Sequence, residues 1–199
     1  KFKAETFEEL FQGTKAIPWE NYIPKNGKFW VAKATSIKSK LFSSSDIQSI
    51  MKKAMVERMK QKFHMEWFEE DGESYPVRVF IYKDEVVVGL DTTGESLHKR
   101  GYRRESNGAP IRETLAAAIA KISRPREEVL LWDPMCGSGT IAIEAAMKMK
   151  NIAPGVSRSF AAESFPFVSK EIWQRAREEA REGEVKTDFE VFASDISEP

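Results

Sequence analysis

Asp133 and the glycines that follow it are the residues of this chain whose types and spacing best suit chemistry. In Val129–Thr140 (Val-Leu-Leu-Trp-Asp-Pro-Met-Cys-Gly-Ser-Gly-Thr) an apolar run ends in an acid. A turn of Pro134, Gly137 and Gly139 follows, and then an alanine-rich helical pattern. This order predicts strand, glycine loop and helix, the first unit of an α/β nucleotide fold. Glycine lets the backbone turn sharply and lets a ligand sit against the amides. Gly137, Gly139 and Ala142 fit G-x-G-x-x-A, a pattern that dinucleotide enzymes share. Asp133 departs from that use. A carboxylate over the cleft repels a pyrophosphate but accepts hydrogen bonds from a cationic or polar ligand. It therefore favours S-adenosylmethionine over NAD. A structural turn without a ligand is the alternative.

Asp195 closes a second strand pattern, Phe189–Ser194, as Asp133 closes the first. An acid there commonly binds ribose hydroxyls. It lies 62 residues beyond Asp133, far more than the roughly 20 usual between loop and acid. An insertion at 151–165 would account for much of the excess, and a strand-end turn is the alternative role for Asp195. Two histidines and one cysteine give no metal or triad spacing, so no metal is expected. Cys136 reads as a small residue in a tight loop, and His64 as a surface or boundary residue.

The elements that must position these residues follow from periodicity and caps. Thr6-x-x-Glu9 predicts a capped helix at Thr6–Phe11 that ends at Gly13. Phe29–Ile37 reads as a strand. Ser43–Asp46 offers N-caps for a helix to about Phe63, with Ile47, Ile50, Met51, Ala54, Met55 and Met59 on one face. Val77–Tyr82 and Glu85–Leu90 predict a hairpin around Lys83-Asp84. The polar, basic stretch 91–108, with Ser106-Asn107-Gly108 at its end, marks a domain break. Pro110 is expected at the first position of an alanine-rich helix through Ile122, stopped by Pro125. Helices over 138–150 and 167–181 complete the second half.

Of 199 residues, 31 are basic and 31 acidic, so a case for nucleic acid must rest on local patches. Seven basic residues against two acidic ones lie between Lys38 and Lys62. Such a strip could neutralise phosphates through Lys38, Lys40, Lys52 and Lys53, or be a solvated helix face. Lys99, Arg100, Arg103 and Arg104 form a second patch around Tyr102, an aromatic plane for an unpaired base. Equally, those arginines could pin segments together through carboxylates. One cysteine, no membrane-length apolar run and no signal-peptide pattern predict a cytoplasmic protein. Both ends look cut, since a parallel sheet buried on both faces needs more than two strands.

Four stretches resemble the THUMP-domain guanine-N2 RNA methyltransferases, a group once labelled N6-adenine DNA methylases. They are Leu90–Gly94 with Leu97–Arg103, Ala109–Ala117, Asp133–Thr140 and Ile152–Phe160. The resemblance implies an α+β THUMP-like RNA-binding domain, then the start of an α/β Rossmann-like methyltransferase domain that uses S-adenosylmethionine. The expected parts are 1–28, the remainder of a ferredoxin-like region; 29–92, the THUMP-like domain; 93–108, a basic linker; and 109–199, the first part of the methyltransferase domain. Pro110 and Glu113 would flank the methionine end of the cofactor. Asp133, Pro134, Met135, Cys136, Gly137, Ser138, Gly139 and Thr140 would line it, and Asp195 with Ile196 would hold its ribose side. The substrate would be RNA, 23S ribosomal RNA first and transfer RNA as its rival, methylated at a guanine N2. The family's Asn/Asp-Pro-Pro-aromatic catalytic motif has no counterpart here, since no Pro-Pro pair occurs in the 199 residues. No catalytic residue is assigned, and the chain by itself is expected to be inactive. A non-catalytic RNA-binding module and a dinucleotide oxidoreductase are the competing classes.

Overall fold

The computed structural model describes residues 1–103 and 110–196. Arg104, the Ser106-Asn107-Gly108 break and Ala109 lie outside the described residues, so the expected 93–108 linker is seen only in part. The chain divides into two units: Lys1–Thr92 with Ser164–Val168, and Thr93–Glu163 with Ser169 onward. Residues 1–28, read from the sequence as a separate remainder, lie in the first unit with 29–92. No helix among the described residues is long and apolar enough to cross a membrane.

The first unit is a four-stranded sheet with helices on one face. Its elements are β1 (Phe2–Lys3), α1 (Phe7–Ala16), β2 (Lys28–Ile37), α2 (Ser44–Phe63), β3 (Ser74–Tyr82) and β4 (Glu85–Leu90), in sheet order β1-β4-β3-β2. Strands β2 and β3 are parallel, so a crossover is obligatory, and α2 supplies it. Strands β3 and β4 form the expected hairpin: Lys83 and Asp84 both take positive φ, 49° and 64°, the twist a two-residue turn requires. The methionine stripe is core, with Ile47, Met51, Ala54, Met55 and Met59 all buried.

Helix α1 starts as its sequence dictates. The Thr6 side chain accepts from the Glu9 amide, and the Glu9 carboxylate accepts from the Thr6 amide. It does not stop at Gly13. It runs on to Ala16, because that glycine serves close packing: a Cβ there would stand 2.3 Å from the Phe2 ring. Residues 164–168 complete this unit from far along the chain. Phe165 is fully buried and stacks on Tyr75 with ring centroids 4.9 Å apart.

The second unit contains α3 (Glu113–Ile122), β5 (Leu131–Asp133), α4 (Thr140–Met149), α5 (Lys170–Glu182) and β6 (Val191–Ala193). Strands β5 and β6 pair in parallel, Asp133 opposite Ala193. Helix α3 begins at Glu113 with Arg112 as its cap, so Pro110 precedes the helix instead of opening it. Arg124 at φ 52° turns the chain out of α3 ahead of Pro125. Trp132 and Phe192 are 63% and 56% exposed, so this small sheet is not covered on both faces.

Phe165→Ala is expected to destabilise the first unit by about 3–5 kcal/mol, the usual range for emptying a buried aromatic site. Phe167→Ala, at a half-exposed position, is expected to cost far less. Hydrogen exchange of the β3 amides in the two variants measures the difference, and equal protection would refute it.

Candidate cofactor site

Strand β5 ends at Asp133, and the chain then turns through 134–139 into α4. Gly137 and Gly139 both take positive φ, 52° and 72°, and Gly139 caps α4. Side chains rarely adopt that backbone region, so the bend explains the choice of glycine. A Cβ placed on Gly137 would meet nothing within 4 Å, and one on Gly139 would reach only Ile143 Cδ1 at 4.0 Å. The space over the bend is open.

Two carboxylates converge on this bend. Asp133 Oδ1 accepts from the Met135 amide at 3.3 Å, so its side chain is turned toward the loop. Asp195 Oδ2 accepts from the Gly137 amide at 2.8 Å. The loop is also tied to the end of β6 through its backbone: the Cys136 amide donates to Ser194 O at 3.0 Å, and the Ser194 amide to Asp133 O at 3.0 Å. Two parallel strand ends and one glycine bend thus form a single hydrogen-bonded set.

The other expected loop residues divide by environment. Pro134 and Met135 are exposed, Cys136 and Ser138 half-buried, and Ile196 fully exposed. Thr140 is buried at the start of α4, and its hydroxyl accepts from Arg103 Nη2 at 2.8 Å. Pro110 and Glu113 border a separate hollow of about 460 Å³ with His98, Lys99 and Arg112. Glu113 is buried there and lies 3.6 Å from Arg103 Nη2.

The second basic patch is mostly interior. Arg100 is buried with its Nε 3.0 Å from Glu144 Oε1 on α4, and Tyr102 Oη donates to the same oxygen at 2.8 Å. Arg103 also donates to Ile111 O at 3.1 Å. Arg100 is buried and Arg103 half-buried, and both guanidinium groups lie against carboxylates within the second unit, the pinning alternative that the sequence left open. Lys99 remains exposed, paired with Glu95 at 3.2 Å. Sequence reasoning assigned no role to Arg158. It is buried and donates to the carbonyls of Thr93, Glu95, Ser96 and Lys99. Its place within the Ile152–Phe160 stretch was the one available signal.

The first basic strip is also partly spent. Lys52 Nζ stands 3.7 Å from the Phe29 ring centroid, bonds Phe29 O and pairs with Glu70 at 2.6 Å, so it is no free phosphate contact. Lys40 pairs with Glu5, and Arg58 with Glu20. Lys38 and Lys53 are exposed, with no anionic partner among the described residues.

Burial, and next the bond to Glu144, pushes the Tyr102 phenol well above its usual range. The stabilisation it contributes is complete below pH ~10, where the unfolded phenol is neutral. It falls as pH rises further, because the unfolded chain ionises and the folded one resists. Tyr102→Phe is expected to flatten the alkaline loss of thermal stability. Melting curves from about pH 8 to about pH 11 test this, and parallel curves for variant and parent would refute it.

Comparison with known proteins gives two family matches. The UPF0020 description, RMKL-like methyltransferase domain, matches residues 100–199, and the THUMP domain matches residues 4–91. The RNA methyltransferase candidate YpsC of Bacillus subtilis is 48% identical over 98% of this chain and 51% of its own length. The ribosomal RNA large subunit methyltransferase K/L of Vibrio cholerae is 35% identical over 90% of this chain and 26% of its own length. Among solved structures, SMU.472, a methyltransferase candidate complexed with SAH, superimposes with a TM-score of 0.86 at 45% identity. It is matched over 98% of this chain and 52% of its own. This chain therefore spans about half the length of the Bacillus protein and of SMU.472. The expected order, a THUMP domain followed by a methyltransferase domain, is the one these matches show.

Proposed function

Because this chain belongs to the RMKL-like methyltransferase-domain family, UPF0020, with a THUMP domain ahead of that domain, we propose that the complete protein methylates RNA with S-adenosylmethionine. The observation that carries this is the open glycine bend with the Asp133 and Asp195 carboxylates turned onto it. The amide end of a helix such as α4 favours anions. Two carboxylates beside it offset that field, so the site suits a nucleoside with no phosphate. When bound, S-adenosylmethionine supplies a methyl group on a cationic sulfur. Asp133 and the bend would then hold the adenosine and methionine portions, while Asp195 would exchange part of its bond to Gly137 for a ribose hydroxyl. The complex of SMU.472 with SAH supports this cofactor class.

The named relatives support RNA as the substrate class. The Vibrio protein is a large-subunit ribosomal RNA methyltransferase, which supports ribosomal RNA over transfer RNA, and we infer a guanine N2 as the acceptor. A base inside a helix must leave its stack to reach the methyl group. Holding amine and sulfonium in line can supply several kcal/mol of the required acceleration. No residue of this chain is assigned to that chemistry, because the Asn/Asp-Pro-Pro-aromatic motif expected to orient the amine has no counterpart in it. A ribosomal RNA target would place the protein in the cytoplasm. Lys38, Lys53 and Lys60 are the exposed cations of the basic strip without an anionic partner among the described residues, and so are available to phosphates.

Mass spectrometry of ribosomal and transfer RNA from a deletion strain tests the whole reading. Loss of one N2-methylguanine from large-subunit RNA is expected, and loss from transfer RNA alone would refute the ribosomal assignment. In the complete protein, Asp133→Ala is expected to weaken S-adenosylhomocysteine binding roughly tenfold, the scale of one hydrogen bond to a charged group. Unchanged calorimetric affinity would refute the role of this carboxylate.

A further inference from the structure

The sheet of the first unit has a second face that the helices leave open. Strands β2, β3 and β4 place three rows of side chains on it: Lys33, Arg78 and Gly89; Thr35, Phe80 and Val87; Ile37, Tyr82 and Glu85. The residues between them, Val77, Val79 and Ile81, point to the buried side. Phe80 and Tyr82 are 44% and 42% exposed, near parallel at 14°, with centroids 6.5 Å apart. A Cβ on Gly89 would meet nothing within 4 Å, so an open hollow of about 410 Å³ lies beside Phe80. Lys33 and Arg78 border it, and Lys83 Nζ stands 5.4 Å from the Tyr82 ring centroid.

We propose that this open sheet face is a binding site for unpaired RNA, with Phe80 and Tyr82 each stacking a base and Lys33 meeting an adjoining phosphate. Exposed aromatic rings on an open sheet beside cations are what sequence-tolerant binding of single strands requires. Charge selects this occupant over an apolar protein surface. The cations of the face, Lys33, Arg78 and Lys83, face two acids that are already engaged, Glu85 by Lys1 and Asp91 by Arg78. Lys33 has no anionic partner among the described residues. Gly89 leaves the strand without a side chain beside the Phe80 ring, which gives a base room to lie there.

The idea rests on the reading that the protein acts on RNA, but it is tested separately from methylation. The experiment uses the complete protein and a short fluorescein-labelled RNA of mixed sequence, alone or annealed to its complement. Phe80→Ala with Tyr82→Ala is expected to weaken single-strand binding by about tenfold or more, the scale of losing a base–aromatic stack, with a much smaller effect on the duplex. Tyr82→Phe, which keeps the ring, is expected to leave affinity intact, and Lys33→Glu to lower the salt dependence of binding. Both rings are on the surface, so the variants should fold, which circular dichroism checks. A folded double-alanine variant with unchanged single-strand affinity would overturn the proposal. So would an RNA-free oligomer that dissociates in that variant, since the face would then belong to a second copy. Loss of stacking with unaltered methylation would leave the site standing, and the reverse would sink only this inference.

Discussion

A guanidinium taken out of water costs several kcal/mol unless protein acceptors replace its hydration, and the second unit is built around meeting that demand. Arg100 and Arg158 are buried, and Arg103 is nearly so. The compensation differs between them, and the Nε of Arg100 and of Arg103 makes no hydrogen bond among the described residues. Arg100 faces the buried Glu144 carboxylate, Arg103 spans Ile111 O, Thr140 and Glu113, and Arg158 collects four carbonyls of Thr93–Lys99. Burial raises the Glu144 carboxyl above its ordinary range, while Tyr102 and Arg100 pull it back down. Removing one partner would strand a charge, which costs more than the pair contributes. The stretch 93–103 is therefore not a loose connector. It is held against α4, the helix whose first turn is the glycine bend.

That hold matters because the bend has few restraints of its own. Glycine loses more conformational freedom on folding than any other residue, so a loop with two of them must be fixed from outside. The backbone bonds to Ser194 fix one side, and the Gly137–Asp195 bond fixes the middle. Thr140, clamped by Arg103, fixes the exit into α4. A side chain counted from the sequence as a ligand contact thus acts one step further back. It anchors the helix, and the helix presents the bend.

Local signals were legible in the sequence where physics is local. Thr6 with Glu9 fixed the start of α1, Lys83-Asp84 fixed the hairpin, and Asp133 through Gly139 gave strand, bend and helix in order. Pro110 differs locally, by preceding α3; the other differences turn on what a residue meets at long range. Gly13 reads as a helix stop until Phe2 is seen lying against it. Arg100 and Arg103 are open in the sequence to two readings, a nucleic-acid patch or a pin through carboxylates, because composition records charge and not burial. Lys52 joined the basic strip for the same reason, although Glu70 and the Phe29 ring absorb its charge. Arg158 left a signal only through its place in Ile152–Phe160, because its partners are backbone carbonyls, which every sequence has.

The first unit shows how far such long-range dependence reaches. Tyr75 lies on the central strand β3, yet its ring is completed by Phe165, 90 residues later. Phe167 adds an edge contact to Tyr22 at 5.7 Å. Contacts of such separation are entropically expensive to close and tend to form late in folding. The sheet and α2 can assemble from residues 1–92 through the local hairpin and the β2-α2-β3 crossover. The aromatic layer over Tyr75 cannot close until 164–168 has emerged from the ribosome and docked. The helix-covered core and the open face of Phe80 and Tyr82 do not wait for that step, since both arise from the alternation of one strand. The residue types of β3 thus serve two surfaces at once, and only its Tyr75 end depends on the second half of the chain.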